Sequence, residues 1–309
     1  MMSSEHENLT RRAFLKSGAA LGGVSLASAG SKAQEVRKEQ TTVRDRFWLY
    51  GQEPGAIDGK DYAPKGHSYI TAVEAADYLS VPNLIFEFCW RRPELQAHAW
   101  QLTIPMRPFR RVVWSIVGCS GWCDEAYTDS VLQLAEKTPN ITGIIMDDFF
   151  QKNAKDPSGV GVLTVAQLQE LQQRLKGGTK KLDLWVCAYS TDFDLPVRGH
   201  LAQCDVISFW VWKGADMPEL PSILAKLEKL APQARKVLGC YMYDYGASRP
   251  MSISSMKFQC ELALEWIQAG RLYGMIFEGS NVCDFGFDSV EWSREWIRKV
   301  GNQKLVVKS

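Results

Sequence analysis

The chain has 309 residues, 46% of them hydrophobic and 23% charged, with a formal net charge of +1 at neutral pH. That balance suits a globular fold and excludes a disordered chain, and the near-zero charge excludes a long-range field that recruits nucleic acid or an anionic membrane. Aromatic residues are abundant, with 11 Trp, 10 Tyr and 13 Phe, so aromatic-walled pockets are expected beside an ordinary core.

The first element is "LTRRAFLKSGAALGGVSLASAG" (9–30), which sets Thr10, Arg11, Arg12, Phe14, Leu15 and Lys16 before a Gly/Ala-rich apolar run. This order resembles the twin-arginine export signal. The run is too short and too small-sided to act as a permanent membrane anchor. Ala27-Ser28-Ala29 offers a small-x-small cleavage site, with Ser31-Lys32-Ala33 as the alternative. Residues 1–33 therefore read as a twin-arginine signal peptide, 34–46 ("QEVRKEQTTVRDR") as a charged linker, and 47–309 as one domain. The resemblance implies passage, already folded, through the twin-arginine translocation machinery to the periplasm or the cell exterior. No later run of about 18 apolar residues occurs, so no membrane contact is expected after cleavage.

Beyond the linker, short β-rich apolar runs alternate with helical patterns at intervals of about 30 residues. The runs are "RFWLYGQ" (46–52), "NLIFEFCW" (83–90), "RVVWSIVG" (111–118), "ITGIIMDD" (141–148), "LDLWVCAY" (182–189), "DVISFWVW" (205–212), "KVLGCYMYDY" (236–245) and "LYGMIFEG" (272–279). Helical stretches such as 164–177, 218–231, 254–270 and 288–301 lie between and after them. Near-continuous apolar runs fit strands buried on both faces. Eight βα units in about 260 residues predict an α/β fold of the (β/α)8 TIM-barrel class. An open doubly wound sheet is the alternative, but "WLYGQEPGAIDG" after the first run is not the GxGxxG that such a sheet normally carries.

Active sites of such barrels sit at the carboxyl ends of the strands. The run ends here hold carboxylates and aromatic rings: Tyr50, Gln52 and Glu53; Glu87, Trp90, Arg91 and Arg92; Ser120 and Trp122; Asp147 and Asp148; Tyr189 and Asp192; Trp210, Trp212 and Lys213; Tyr241, Tyr243, Asp244 and Tyr245; Glu278 and Asn281. Carboxyl groups from different strands among aromatic faces suit glycoside chemistry, where one acid protonates the leaving oxygen and another stabilises or attacks the oxocarbenium-like centre. Asp147, Asp148, Glu278 and Asp244 are the candidate catalytic acids. Glu87, Trp90, Arg91, Tyr189, Trp210, Trp212, Tyr241, Tyr243 and Asn281 are the candidate substrate contacts. Strand alternation places Glu278 on the inward face with Gly274 and Ile276, and predicts that one of Asp147 and Asp148 faces the cleft. The competing reading pairs the two acids with Arg91, Arg92 or backbone N–H groups as loop fixtures.

"GIIMDDFF" is similar to the fourth strand of secreted barrel glycosidases, including the chitinase-like family with its D-G-x-D-x-D-x-E run. Asp147 takes the last aspartate of that pattern, while Ile145 and Phe149 stand where the middle aspartate and the catalytic glutamate belong. The resemblance implies a carbohydrate-active barrel acting on an oligo- or polysaccharide, without the mechanism that depends on that glutamate.

No cofactor or metal is expected. Of the four histidines, His6 lies in the leader, and His67, His98 and His200 lie away from the run ends. No GxSxG elbow is present. Cys187, Cys240 and Cys89 read as small core residues, whereas Cys119 and Cys123 are close enough to bridge or to remain free thiols. Two rivals stand beside hydrolysis: a barrel that binds glycans without cleaving them, and a Schiff-base aldolase or lyase using Lys213 at the end of the sixth run.

Overall fold

The structure is a computed structural model that describes residues 41–88, 95–150 and 159–305. Among these, eight parallel strands close on themselves: β1 (Phe47–Gly51), β2 (Asn83–Phe86), β3 (Arg111–Gly118), β4 (Ile141–Met146), β5 (Asp183–Tyr189), β6 (Val206–Trp210), β7 (Arg235–Tyr241) and β8 (Gly274–Glu278). Each pairs with the next, and β8 returns to β1 with Glu278 opposite Tyr50, so the ring has no open edge. A helix follows each strand in turn: α1 (Ala72–Leu79), α2 (Leu95–Met106), α3 (Glu125–Lys137), α4 (Val165–Gly177), α5 (Arg198–Leu201), α6 (Leu220–Leu230), α7 (Ile253–Gln268) and α8 (Asp288–Val300). This is the expected TIM barrel, and the open-sheet alternative is excluded.

Local chemistry sets the helix starts. Thr71 caps α1 and Thr164 caps α4, each accepting from the backbone N–H three residues on, while Glu74 and Gln167 reach back to the cap backbone. Within the ring, side chains alternate. Phe47 points outward to Trp296 of α8 (centroids 5.5 Å apart), while Trp48 meets Trp185 of the non-adjacent β5 at 4.9 Å, through the interior. One layer higher, Tyr50 meets Trp210 of β6 at 5.6 Å.

Large rings fit inside only where the facing strand gives way. Gly239 on β7 lies under the Trp210 indole, and a Cβ there would sit 2.0 Å from Trp210 Cε3. Gly239→Ala is therefore expected to destabilise the barrel by about 1–3 kcal/mol, the usual cost of overpacking a filled core. Thermal unfolding checks this against Gly177→Ala at the end of α4, where an added Cβ meets nothing within 4 Å. Equal melting temperatures for the two variants would refute the packing of Trp210 on Gly239.

The amino ends of the strands hold a cluster of arginines, with Asp45 and Asp183 paired to Arg110 and Arg235 beside it. At the amino ends of the strands the guanidiniums of Arg46, Arg111 and Arg235 lie 5.0, 5.5 and 4.6 Å from the Tyr273 ring centroid. The last residues of the segment assigned from sequence to a linker are folded into this base. Thr42 bridges to Lys304, Val43 is buried, and the 3-10 turn Val43–Arg46 leads directly into β1. Residues 42–46 are thus packed with the barrel, Val43 lying in its core and donating its backbone N–H to Gln303 O. Residues 1–40, which carry the signal-like stretch, lie outside the described residues.

Candidate active site

The carboxyl ends of the strands surround a cavity of about 100 Å³ lined by Tyr50, Gln52, Ile57, Tyr62, Cys119, Asp147, Asp148, Cys187, Tyr189, Trp210, Trp212, Tyr241, Tyr245 and Glu278. The strand registers explain why these residues meet. Glu278 lies between Tyr50 and Tyr241, and Tyr189 lies opposite Trp210, each at or beside the last position of its strand.

Both Asp147 and Asp148 line the cavity, contrary to the expectation that only one would. β4 ends at Met146, and Asp148 adopts a left-handed backbone (φ 41°) that turns its side chain back inward. Strand alternation therefore ceases to apply at this point. Asp147 is buried and accepts a 2.8 Å hydrogen bond from the Tyr50 hydroxyl. Asp148 accepts from Ser120 N (2.9 Å) and from the Tyr189 hydroxyl (3.0 Å).

The acids lie deep enough to hold their protons. Burial, with the Asp148 charge beside it, raises Asp147 from 3.8 to about 7, against hydrogen bonds from Tyr50 and Cys187 that favour the anion. Burial raises Glu278 from 4.5 to about 8, where the Asp147 charge adds to the shift and the Tyr245 hydroxyl opposes it. The Tyr245 hydroxyl is near enough to favour the Glu278 anion yet poorly aligned, since neither Tyr245 Oη nor Glu278 Oε2 completes a hydrogen bond of good geometry. Both are buried polar atoms at a cavity wall, and such atoms are costly unless a ligand satisfies them.

A further acid sits behind the wall. Glu87 is fully buried and accepts a 3.0 Å hydrogen bond from Gln52 Nε2. Gln52 is in turn held by Asn281, whose Nδ2 donates to Gln52 Oε1 at 2.8 Å. Burial, then the Asp147 charge, pushes Glu87 well above the usual carboxylate range. Glu87 and Asn281 therefore support Gln52 and the acid cluster rather than reach substrate, which corrects their assignment as contacts.

Asp244 also leaves the catalytic set. β7 ends at Tyr241, and Tyr243–Asp244 form a short antiparallel ladder with Arg249–Pro250 that carries Asp244 away from the cavity lining. There Asp244 accepts from Ala247 N at 3.1 Å, a turn fixture. Tyr243 stacks on Phe287 (5.7 Å, 29°) and backs Tyr245 without lining the cavity. Lys213 is exposed and absent from the lining, so the Schiff-base reading loses its nucleophile. Trp90 and Arg91, with Arg92, lie outside the described residues.

Of the proposed contacts, Tyr189, Trp210, Trp212 and Tyr241 line the cavity as expected. Trp212 is 39% exposed at the mouth and stacks on Tyr245 (5.7 Å, 24°). Sequence reasoning missed Ile57 and Tyr62, which come from the loop between β1 and α1. Asp284 pins that loop by accepting from Ser68 Oγ (3.0 Å), Tyr69 N (2.7 Å) and Ile70 N (3.1 Å). Tyr62 thereby comes within 6.3 Å of Trp212 and 6.1 Å of Tyr245, centroid to centroid.

The Cys119–Cys123 bridge does not form: Cys119 is disulfide-bonded, whereas Cys123 is in no disulfide. One ligand atom each from Glu87, Cys119 and Asp147 lie within 4.8 Å of one another, a spacing that could hold a metal ion. A bridged sulfur is no thiolate, however, and the two remaining carboxyls hold raised pKa values. That donor set is poor for a cation that requires ionised ligands.

No family model and no curated protein sequence matches the chain. Solved structures do share its fold. A candidate alpha-L-fucosidase from Bacteroides thetaiotaomicron is 11% identical with a TM-score of 0.51, over 84% of this chain and 96% of that one. The active domain 2 of a thermostable chitinase from Pyrococcus furiosus is 10% identical with a TM-score of 0.50, over 77% of this chain and 84% of that one. At such identities the shared property is the architecture: this chain is a (β/α)8 barrel.

Proposed function

We propose that the protein hydrolyses glycosidic bonds, with Glu278 as proton donor and Asp147 as the carboxylate that faces the anomeric carbon. The observation that carries this reading is a pair of buried carboxyls, at the carboxyl ends of the opposed strands β4 and β8, lining one aromatic-walled cavity with different hydrogen-bond environments. Tyr50 donates to Asp147 and favours its ionised form, whereas Glu278 has an oxygen free to give a proton. Trp212, exposed at the mouth and backed by Tyr245, offers a ring on which a sugar can stack. Asp148, fixed by Ser120 N and Tyr189, holds negative charge beside Asp147 and keeps its proton affinity high. Two fold neighbours whose names denote glycosidases agree with this chemistry. Two acids in one cavity favour cleavage over glycan binding alone. The test is incubation with an oligo- and polysaccharide panel followed by mass spectrometry: shortened products are expected, and an unchanged panel would refute hydrolysis.

The same reading includes export, which rests on the Thr10–Lys16 pattern alone. Replacing Arg11 and Arg12 together by Lys should leave an uncleaved cytoplasmic precursor, detected by its mass and by fractionation. Normal processing of that variant would overturn the signal assignment.

A further inference from the structure

The carboxyls and rings at the cavity imply more than a generic sugar. Asp147, Asp148 and Glu278 line it, and Glu87 stands directly behind. Among the described lining residues there is no Lys, Arg or His to balance them. The guanidiniums of Arg46, Arg111 and Arg235 gather instead round Tyr273 at the opposite end of the barrel. The remaining wall is largely aromatic, and Trp212 lies nearly parallel to Tyr245 at 5.7 Å. Carboxylates attract an ammonium directly, and aromatic faces attract it through their quadrupole, more strongly where water is excluded. A uronic acid, a sulfate ester or a phosphorylated sugar would meet like charge here. Tyr245 Oη and Glu278 Oε2, both buried at the wall without a well-aligned partner, each keep acceptor capacity for an N–H donor.

We infer that the sugar seated in this cavity carries a free, protonated amine, so that the preferred substrate is a glycan of unacetylated amino sugars. The inference rests on the glycan-hydrolase reading but fails independently of it. Asp147 and Glu278 are pushed up by burial with no cation among the described lining residues, and a bound ammonium would let them ionise, which a neutral hydroxyl or an acetylated amine cannot do.

The test uses three tetrasaccharides of one linkage that differ only at carbon 2: a β-1,4-linked glucosamine tetramer, its fully N-acetylated form and the glucose tetramer. Tetramethylammonium chloride is the fourth probe. Binding is measured by calorimetry at pH 6 with the Glu278→Gln protein, which suppresses cleavage while its amide oxygen still accepts from an N–H donor, and hydrolysis is measured with the wild-type protein. The glucosamine tetramer is expected to bind at least tenfold more tightly than either neutral tetramer, and Asp148→Asn to remove most of that preference. Equal or weaker binding of the amine, no binding of any tetramer, or tighter binding of tetramethylammonium would overturn the inference. Cleavage of a neutral tetramer in preference to the amine would overturn it while leaving glycoside hydrolysis intact. Tight amine binding without cleavage would leave it standing and remove the hydrolase reading instead.

Discussion

Glu278→Gln is expected to lower turnover of a cleaved glycan by about 10²-fold or more, the usual contribution of a positioned general acid. Gln keeps the shape of Glu278 and its place between Tyr50 and Tyr241 but cannot give up a proton to a leaving oxygen. Asp147→Asn is expected to cost at least as much, because it removes the negative charge that stabilises or attacks the oxocarbenium-like centre. The two sites act as a unit, so the double variant should be little worse than the worse single one. Wild-type activity should follow a narrow bell, falling as pH drops through about 7, where Asp147 gains its proton, and as it rises through about 8, where Glu278 loses its own. The two values belong to an interacting pair, so the bell reports the pair rather than either residue. Steady-state kinetics between pH 5 and 10 check the profile; a rate flat across that interval would remove Asp147 and Glu278 from the chemistry.

The same acids make the folded protein lose stability as pH rises. A carboxyl whose folded pKa lies above its unfolded value keeps a proton that the unfolded chain has shed. Its favourable contribution is complete below about 4 and disappears as pH climbs through the folded value. For Asp147 and Glu278 that window runs from about 4 to about 7 and about 8 respectively. Each pH unit within it costs about 1.4 kcal/mol per retained proton. Wild-type melting temperature should therefore fall between pH 5 and pH 9. Asp147→Asn and Glu278→Gln should each flatten the curve and be more stable than wild type at pH 9, on the order of 2 kcal/mol. The three proteins differ only at these two acids, so differences between the curves isolate them. Asp205 and Glu228, held low by their hydrogen-bonded partners, lose their contribution only at acid pH, outside this interval. Parallel curves for wild type and both variants would contradict the burial of ionisable acids. A site less stable than its neutral variants is the expected signature of function held at the expense of stability.

Much of this was legible in the sequence. Eight apolar runs separated by helical patterns gave the barrel, because strands buried on both faces must be apolar throughout. Period-2 alternation placed Glu278 inward with Gly274 and Ile276. The failures have local causes. The run "CYMYDYG" stays aromatic past the point where β7 ends, so the chain leaves the barrel at Met242 with no change of composition to mark it, and Asp244 goes with it. Asp148 reaches the cavity through a left-handed backbone that no neighbouring glycine announces. Tyr62 arrives from a long loop without periodicity, fixed by Asp284 more than 200 residues further along the chain. Glu87 and Asn281 were correctly placed at strand ends, but burial and the shared Gln52 decide that they support the site rather than touch substrate.

The most direct measurement of the acid–base claim compares Glu278→Gln on two substrates that share one glycone and differ in leaving group. One releases a sugar hydroxyl, which needs a proton, and the other releases 2,4-dinitrophenolate, which does not. With Glu278 as proton donor, turnover of the sugar glycoside falls by about 10²-fold or more while release of dinitrophenolate stays close to the wild-type rate. Equal losses on both substrates, or no loss on either, would contradict that role.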